Sequence, residues 1–216
     1  MALEADHADD RRKGVMGLAA SRDGSADWAL KVYDTIARTD INATVRIAAL
    51  CAMVPAAGPQ QVSTAIKILT SAGHMHEDVR PANGAVRWEA AKLLLAIVDA
   101  QAFEEAQRDE IVKTLLERLA RDPDRNVRLT VVDALAYFAQ SPVPQALIDT
   151  LEEDDFALQR AAEQALIALT GHTHHHDPRA WRSWLEKTED PFKDAGLTPP
   201  ELQTSGGRKV RWEWPW

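Results

Sequence analysis

Four stretches of the chain repeat one pattern at a nearly fixed spacing, and that spacing limits what the chain can fold into. They read VRIAALCAM from Val45, VRWEAAKLL from Val86, VRLTVVDAL from Val127 and LQRAAEQAL from Leu158, with starts 41, 41 and 31 residues apart. A fainter fifth copy, DRRKGVMGL, begins at Asp10. Recurrence at a period of roughly 20–50 residues marks stacked units, each too small to bury its own apolar face. Within a copy, the small and apolar positions recur at the i, i+3, i+4, i+7 spacing of one helix face. Small residues let neighbouring helices approach closely, so each copy predicts an inner helix buried between adjacent repeats.

A second helical pattern precedes most copies, at residues 27–39, 60–72, 110–122 and 144–154. Each ends near a turn-forming cluster such as RTDIN, SAGH or RDPDRN, where helices stop. The predicted unit is helix, turn, helix. Residues 1–190 contain no run of alternating apolar residues that would suggest a strand.

Over residues 9–171 this pattern resembles the HEAT-repeat family of α-solenoids, most specifically in DPDRNVRLTVVDAL at 122–135. The resemblance implies an Asp in the interhelical turn and an Arg at the start of the second helix, joined in a ladder between repeats. Asp40 with Arg46, and Asp122 with Arg128, match it, and Arg87 belongs to the same set although Pro81 stands where its Asp would be. In the last copy Glu153 and Gln159 take the two places. The role implied is structural: Asp caps the second helix and Arg bridges to the next turn. The fold implied is an all-α, right-handed α-solenoid of about four to five helical hairpins over residues 9–187, with an irregular tail at 188–216.

The segment LTG…HDPRAWRSWLEK, Leu169 to Leu185, resembles the end of several bacterial HEAT-like arrays. There a DPxxWxxW helix covers the open end of the stack, which would otherwise expose apolar surface. Asp177 is placed to cap a helix over 178–187 with Pro178 at its first position. Trp181 and Trp184 would share one face. The loop before it, GHTHHHDP, holds four of the seven histidines. His172, His174, His175 and His176 offer pairs at metal-ligand spacing, so a metal site is one expectation. A polar linker into the last helix is the simpler one. His74 and His76 form another pair, in a turn at the opposite end of a helical hairpin.

Past Lys187 the sequence turns to Pro, Gly and polar residues, then closes with RKVRWEWPW. Val210, Trp212, Trp214 and Trp216 alternate there with Lys209, Arg211, Glu213 and Pro215. Three readings stand: the tail packs back on its own helices, docks on another protein, or touches a membrane surface.

Formal net charge is −8, which disfavours generic phosphate binding, so no nucleic-acid partner is expected. The single cysteine, Cys51, forms no internal disulfide and fits a reducing compartment. No basic-then-apolar leader opens the chain, and its apolar runs, Leu93 to Val98 among them, are far too short to span a membrane. The sequence as written therefore points to the cytoplasm, a removed leader or anchor aside. No phosphate loop, GxSxG elbow or HExxH appears. No catalytic residue and no cofactor are assigned. The expected function is a non-catalytic scaffold or adaptor that binds another protein on its second helices, through Trp88, Glu89, Lys92, Thr130, Asp133 and Tyr137 and the tail's Trp212, Trp214 and Trp216. Trp88 fits inter-repeat packing equally well. The alternatives are a lyase-type or other enzyme-accessory HEAT protein, and a metal-responsive module using the loop 172–176.

Overall fold

The computed structural model describes residues 7–71 and 78–202. Among them it holds ten α-helices and no β-strand. These are α1 (Ala8–Ala19), α2 (Asp27–Thr39), α3 (Ala43–Met53), α4 (Pro59–Thr70) and α5 (Gly84–Asp99), then α6 (Arg108–Arg121), α7 (Arg125–Leu135), α8 (Pro142–Thr150), α9 (Phe156–Thr170) and α10 (Pro178–Lys187). The architecture is that of an all-α helical repeat of the α-solenoid class. The chain divides into two compact units, Met1–Thr130 and Val131–Trp216.

Local chemistry sets the helix ends. Asn42, Asn83, Asp155 and Asp177 each accept a hydrogen bond from a first-turn N–H of α3, α5, α9 and α10, which satisfies donors the helix cannot. Pro59, Pro142 and Pro178 occupy first-turn positions, where the missing N–H is harmless. Gly171 ends α9 in the left-handed region at φ 70°. A Cβ there would also lie 2.3 Å from the Asp194 carbonyl oxygen, so glycine is required twice over.

In the first unit α2 packs on α3 and α4 on α5, forming hairpins. The second helices α1, α3 and α5 then stack in sequence, and so do the first helices α2, α4 and α6. Their shared core includes Val45, Ala49, Leu50, Ala90, Leu93, Leu94 and Ile97, all without solvent exposure. Each large apolar side chain buried this way contributes about 1.5–3 kcal/mol.

The polar joints between repeats start from helix ends. The last carbonyls of α2 have no partner within the helix. Ala37 O accepts from Arg46 Nε at 2.7 Å, Arg38 O from the Arg80 N–H at 2.9 Å, and Thr39 O from Arg80 Nε at 2.7 Å. Arg46 reaches on to the carbonyls of Pro81 and Arg80, at 2.9 and 3.1 Å. Arg128 Nε does the same service for Leu119 O near the end of α6, at 2.7 Å.

Carboxylates complete the row from one repeat further on. Arg11 donates to both oxygens of Asp40, at 2.8 and 3.0 Å. Arg87 donates to both oxygens of Asp122, at 2.8 Å each, with side chains 6% and 0% exposed. Asp40 and Asp122 do not cap their helices. They accept the N–H of the residue two on, Asn42 and Asp124, and those residues make the caps. Burial works to raise the Asp40 carboxyl, but the Arg11 guanidinium and the Asn42 N–H outweigh it and hold it below its usual range.

In the second unit α8 packs on α9, and α10 packs on α8. Trp181 of α10 is fully buried and meets Trp184 edge to face, with ring centroids 5.7 Å apart. The α10 face is tied to α8 by Arg182, which donates to Asp149 at 2.9 Å and to Glu152 at 2.5 Å. Asp133 is a half-buried carboxylate without a hydrogen bond or ion pair among the described residues, and burial raises its pKa from 3.8 to about 6.

Two outcomes follow for stability. Arg87→Ala strands the Asp122 charge in the interior and should cost about 3–5 kcal/mol in urea unfolding, whereas an Arg87→Met, Asp122→Leu double variant should recover part of that loss. For Asp133 the folded pKa exceeds the unfolded one, so its stabilising state is the protonated one. That contribution is complete below about pH 4 and is lost as pH rises through 6. Asp133→Asn should therefore raise the melting temperature at pH 8 and leave it nearly unchanged at pH 4.

Candidate functional site

Within the first unit, one turn of α5 and its neighbours carry a linked polar and aromatic patch. Trp88 and Lys92 stand four residues apart on α5, so they share a face. Lys92 Nζ lies 4.4 Å from the Trp88 ring centroid and 2.7 Å from Glu89 Oε1. On the α3 side, the Cys51 thiol donates to Glu89 Oε2 at 3.3 Å. On the other side, the Trp88 indole N–H donates to Thr130 Oγ1 at 3.1 Å. The Thr130 hydroxyl in turn donates to the carbonyl of Asn126, one turn back, at 2.9 Å.

The indole is thus fixed at its N–H edge and overlain by a cation, yet it stays 37% exposed. Thr130 itself is only 7% exposed, which departs from the expectation of a contact residue. Its hydroxyl holds Trp88 in place and offers little surface of its own. Trp88, Glu89 and Lys92 come together, and the geometry adds Cys51. Asp133 and Tyr137 lie in the second unit, each half-buried.

The patch is poorly equipped for catalysis. Burial, then the neighbouring Glu89 carboxylate, pushes the Cys51 thiol up to about 11, so at neutral pH it is protonated and a weak nucleophile. What the patch offers is a rigid amphipathic ring, a residue type enriched at protein contacts, with a cation and an anion within one helical turn of it.

The histidine loop lies in the second unit. Its organiser is Glu163 of α9, a buried carboxylate. Glu163 accepts from the Thr173 hydroxyl at 2.6 Å, the Trp181 indole N–H at 2.7 Å, and the backbone N–H groups of His176 and His174 at 3.2 and 3.3 Å. Four donors on one carboxylate repay its loss of water. They also fold the loop back onto the capping helix.

The imidazoles go separate ways. His172 lies 3.4 Å from an Asp194 carboxylate oxygen and tilts against Trp184. His174 meets Trp181 edge to face at 4.7 Å. His175 and His176 border a groove together with Phe156. Among the described residues no set of three His, Cys, Asp or Glu side chains is placed to hold a metal ion. His74 and His76 lie outside the described residues, as do Trp212, Trp214 and Trp216.

The sequence pattern alone did not single out Glu163. It sits at a variable place of the repeat, in AAEQAL. The available signal was a buried indole N–H in the capping helix, which needs an acceptor somewhere. Phe156, directly after the acidic run 152–155, was equally silent.

No helix among the described residues is long and apolar enough to cross a membrane. Residues 79–167 match the family model described as HEAT repeats. No curated protein matches the chain. Two crystal structures of engineered proteins are similar in fold. One is 21% identical with a TM-score of 0.56, covering 88% of this chain and 89% of its own. The other is 20% identical with a TM-score of 0.53, covering 76% and 75%. At that identity the likeness speaks for the fold alone. The helix-turn-helix period, the stacked hairpins and the matched model agree: the chain is an all-α helical repeat protein whose residues 79–167 are similar to HEAT repeats.

Proposed function

We propose that this chain is a non-catalytic docking module that binds another protein through the face carrying Trp88, Glu89 and Lys92. One observation supports this reading above the others. An indole that could have been buried between repeats is instead held at its edge by Thr130 and left 37% open. A fixed aromatic ring loses little freedom on binding, which is why Trp dominates interface hot spots. Lys92 and Glu89 beside it supply a charge pair able to set register with a partner. HEAT repeats commonly serve as protein-binding surfaces, and residues 79–167, which include these side chains, match that family. A formal charge of −8 weighs against nucleic acid as the partner.

The test begins with affinity capture from the native cell and identification of the retained protein, followed by calorimetry with that protein in purified form. Trp88→Ala and Lys92→Glu are substitutions on exposed side chains and should leave the helical signal and melting temperature close to the parent. Trp88→Ala should weaken binding about 30-fold, equivalent to about 2 kcal/mol, and Lys92→Glu should weaken it through charge reversal. Equal affinity of both variants and the parent would remove this face from the binding reaction.

A further inference from the structure

The second unit holds a groove of about 380 Å³ that the docking face does not use. Phe156, Arg160, Gln164 and Ile167 of α9 form one wall, and His175 and His176 form the other. Leu202 closes it at the end of the described residues. Phe156 is 72% exposed, an unusual place for a phenyl ring at the first turn of a helix. Its ring is stacked with His176 at 6.3 Å.

The far wall is built under strain. His175 and His176 both have positive φ, 50° and 63°. Two consecutive non-glycine residues in the left-handed region persist only where their surroundings hold them. Here the buried Glu163 carboxylate does so through the His176 N–H, and the Thr173 hydroxyl through the His175 N–H. The groove is therefore preformed, with its aromatic floor open.

We infer that this groove seats the chain's own segment 203–216, with its tryptophan edge laid on Phe156. The segment begins at the residue after Leu202, on the groove wall itself. Its 14 residues reach up to about 45 Å when extended, ample to turn back along α9. Val210, Trp212, Trp214 and Trp216 fall on one edge of an extended chain, where side chains alternate. That edge needs apolar cover, and Phe156 with Ile167 provides it.

Charge agrees. On the other edge, Lys209 and Arg211 can reach the acidic turn Glu152–Asp155 that leads into Phe156, while Glu213 can reach Arg160. Glu152 is already bonded to Arg182, and Asp155 caps α9, so Asp154 is the exposed carboxylate best placed for the basic side chains. The inference concerns α9 and the histidine loop only, and stands apart from the Trp88 face.

The experiment uses the full chain with the photo-crosslinking amino acid benzoylphenylalanine in place of Trp214. Irradiation followed by peptide mapping should give an intramolecular adduct on residues 156–167 or 173–176, at monomer mass. Because Phe156 is exposed, Phe156→Ser and Phe156→Asp should fold normally by circular dichroism and reduce the adduct yield about fivefold or more. An adduct formed between two copies would make a second chain the occupant and overturn the inference. So would an adduct elsewhere on the same chain, no adduct, or a yield indifferent to both Phe156 substitutions.

Discussion

The carbonyl groups left over where a first helix ends are the constraint on which the first unit depends. They are strong acceptors, and a stack of hairpins buries them away from water, where an unmet acceptor costs about 1–3 kcal/mol. A guanidinium answers them well because it carries five donors in a rigid fork. Arg46 spends one donor on its own repeat, at Ala37 O, and two on the backbone of the next, at Pro81 O and Arg80 O. One side chain thus closes a helix and fastens its neighbour. Arg11 and Arg87 reach forward in the same way, to carboxylates instead of carbonyls.

This division explains how far the sequence could be read. The period of 41 residues and the small-residue pattern were visible, because they follow from helix packing against like neighbours. The last helix was legible from Asp177 and Pro178 alone, and it spans Pro178–Lys187. The cross-repeat partners of Arg11, Arg46 and Arg87 were not, because they lie 29 to 35 positions away and are fixed only once repeats stack. Pro81 looked like a break in the Asp series. In the structure its carbonyl does the accepting, which a reading of side-chain types has no means to see. The helix caps were displaced for a similar reason: Asp40 and Asp122 bond the turn, and the residues two further on bond the helix.

In the candidate sites the same distinction recurs. Trp88, Glu89 and Lys92 could be chosen because they occupy variable places within a strict pattern, and their spacing on α5 brings them together. Thr130 occupies such a place too, yet its hydroxyl is turned to the indole of Trp88. The histidines drew notice by number. What arranges them is Glu163, a residue without any local motif, whose role appears only when the loop after Gly171 returns over α9.

One consequence reaches beyond stability. Cys51 is the chain's only thiol, and it adjoins Glu89, the residue next to Trp88. A dye attached there would sit beside the indole in unaltered protein, so arrival of a partner could be watched optically with no residue replaced. Its high pKa sets the condition for attachment: the coupling has to be run in alkaline buffer, where a useful fraction of the sulfur is ionised.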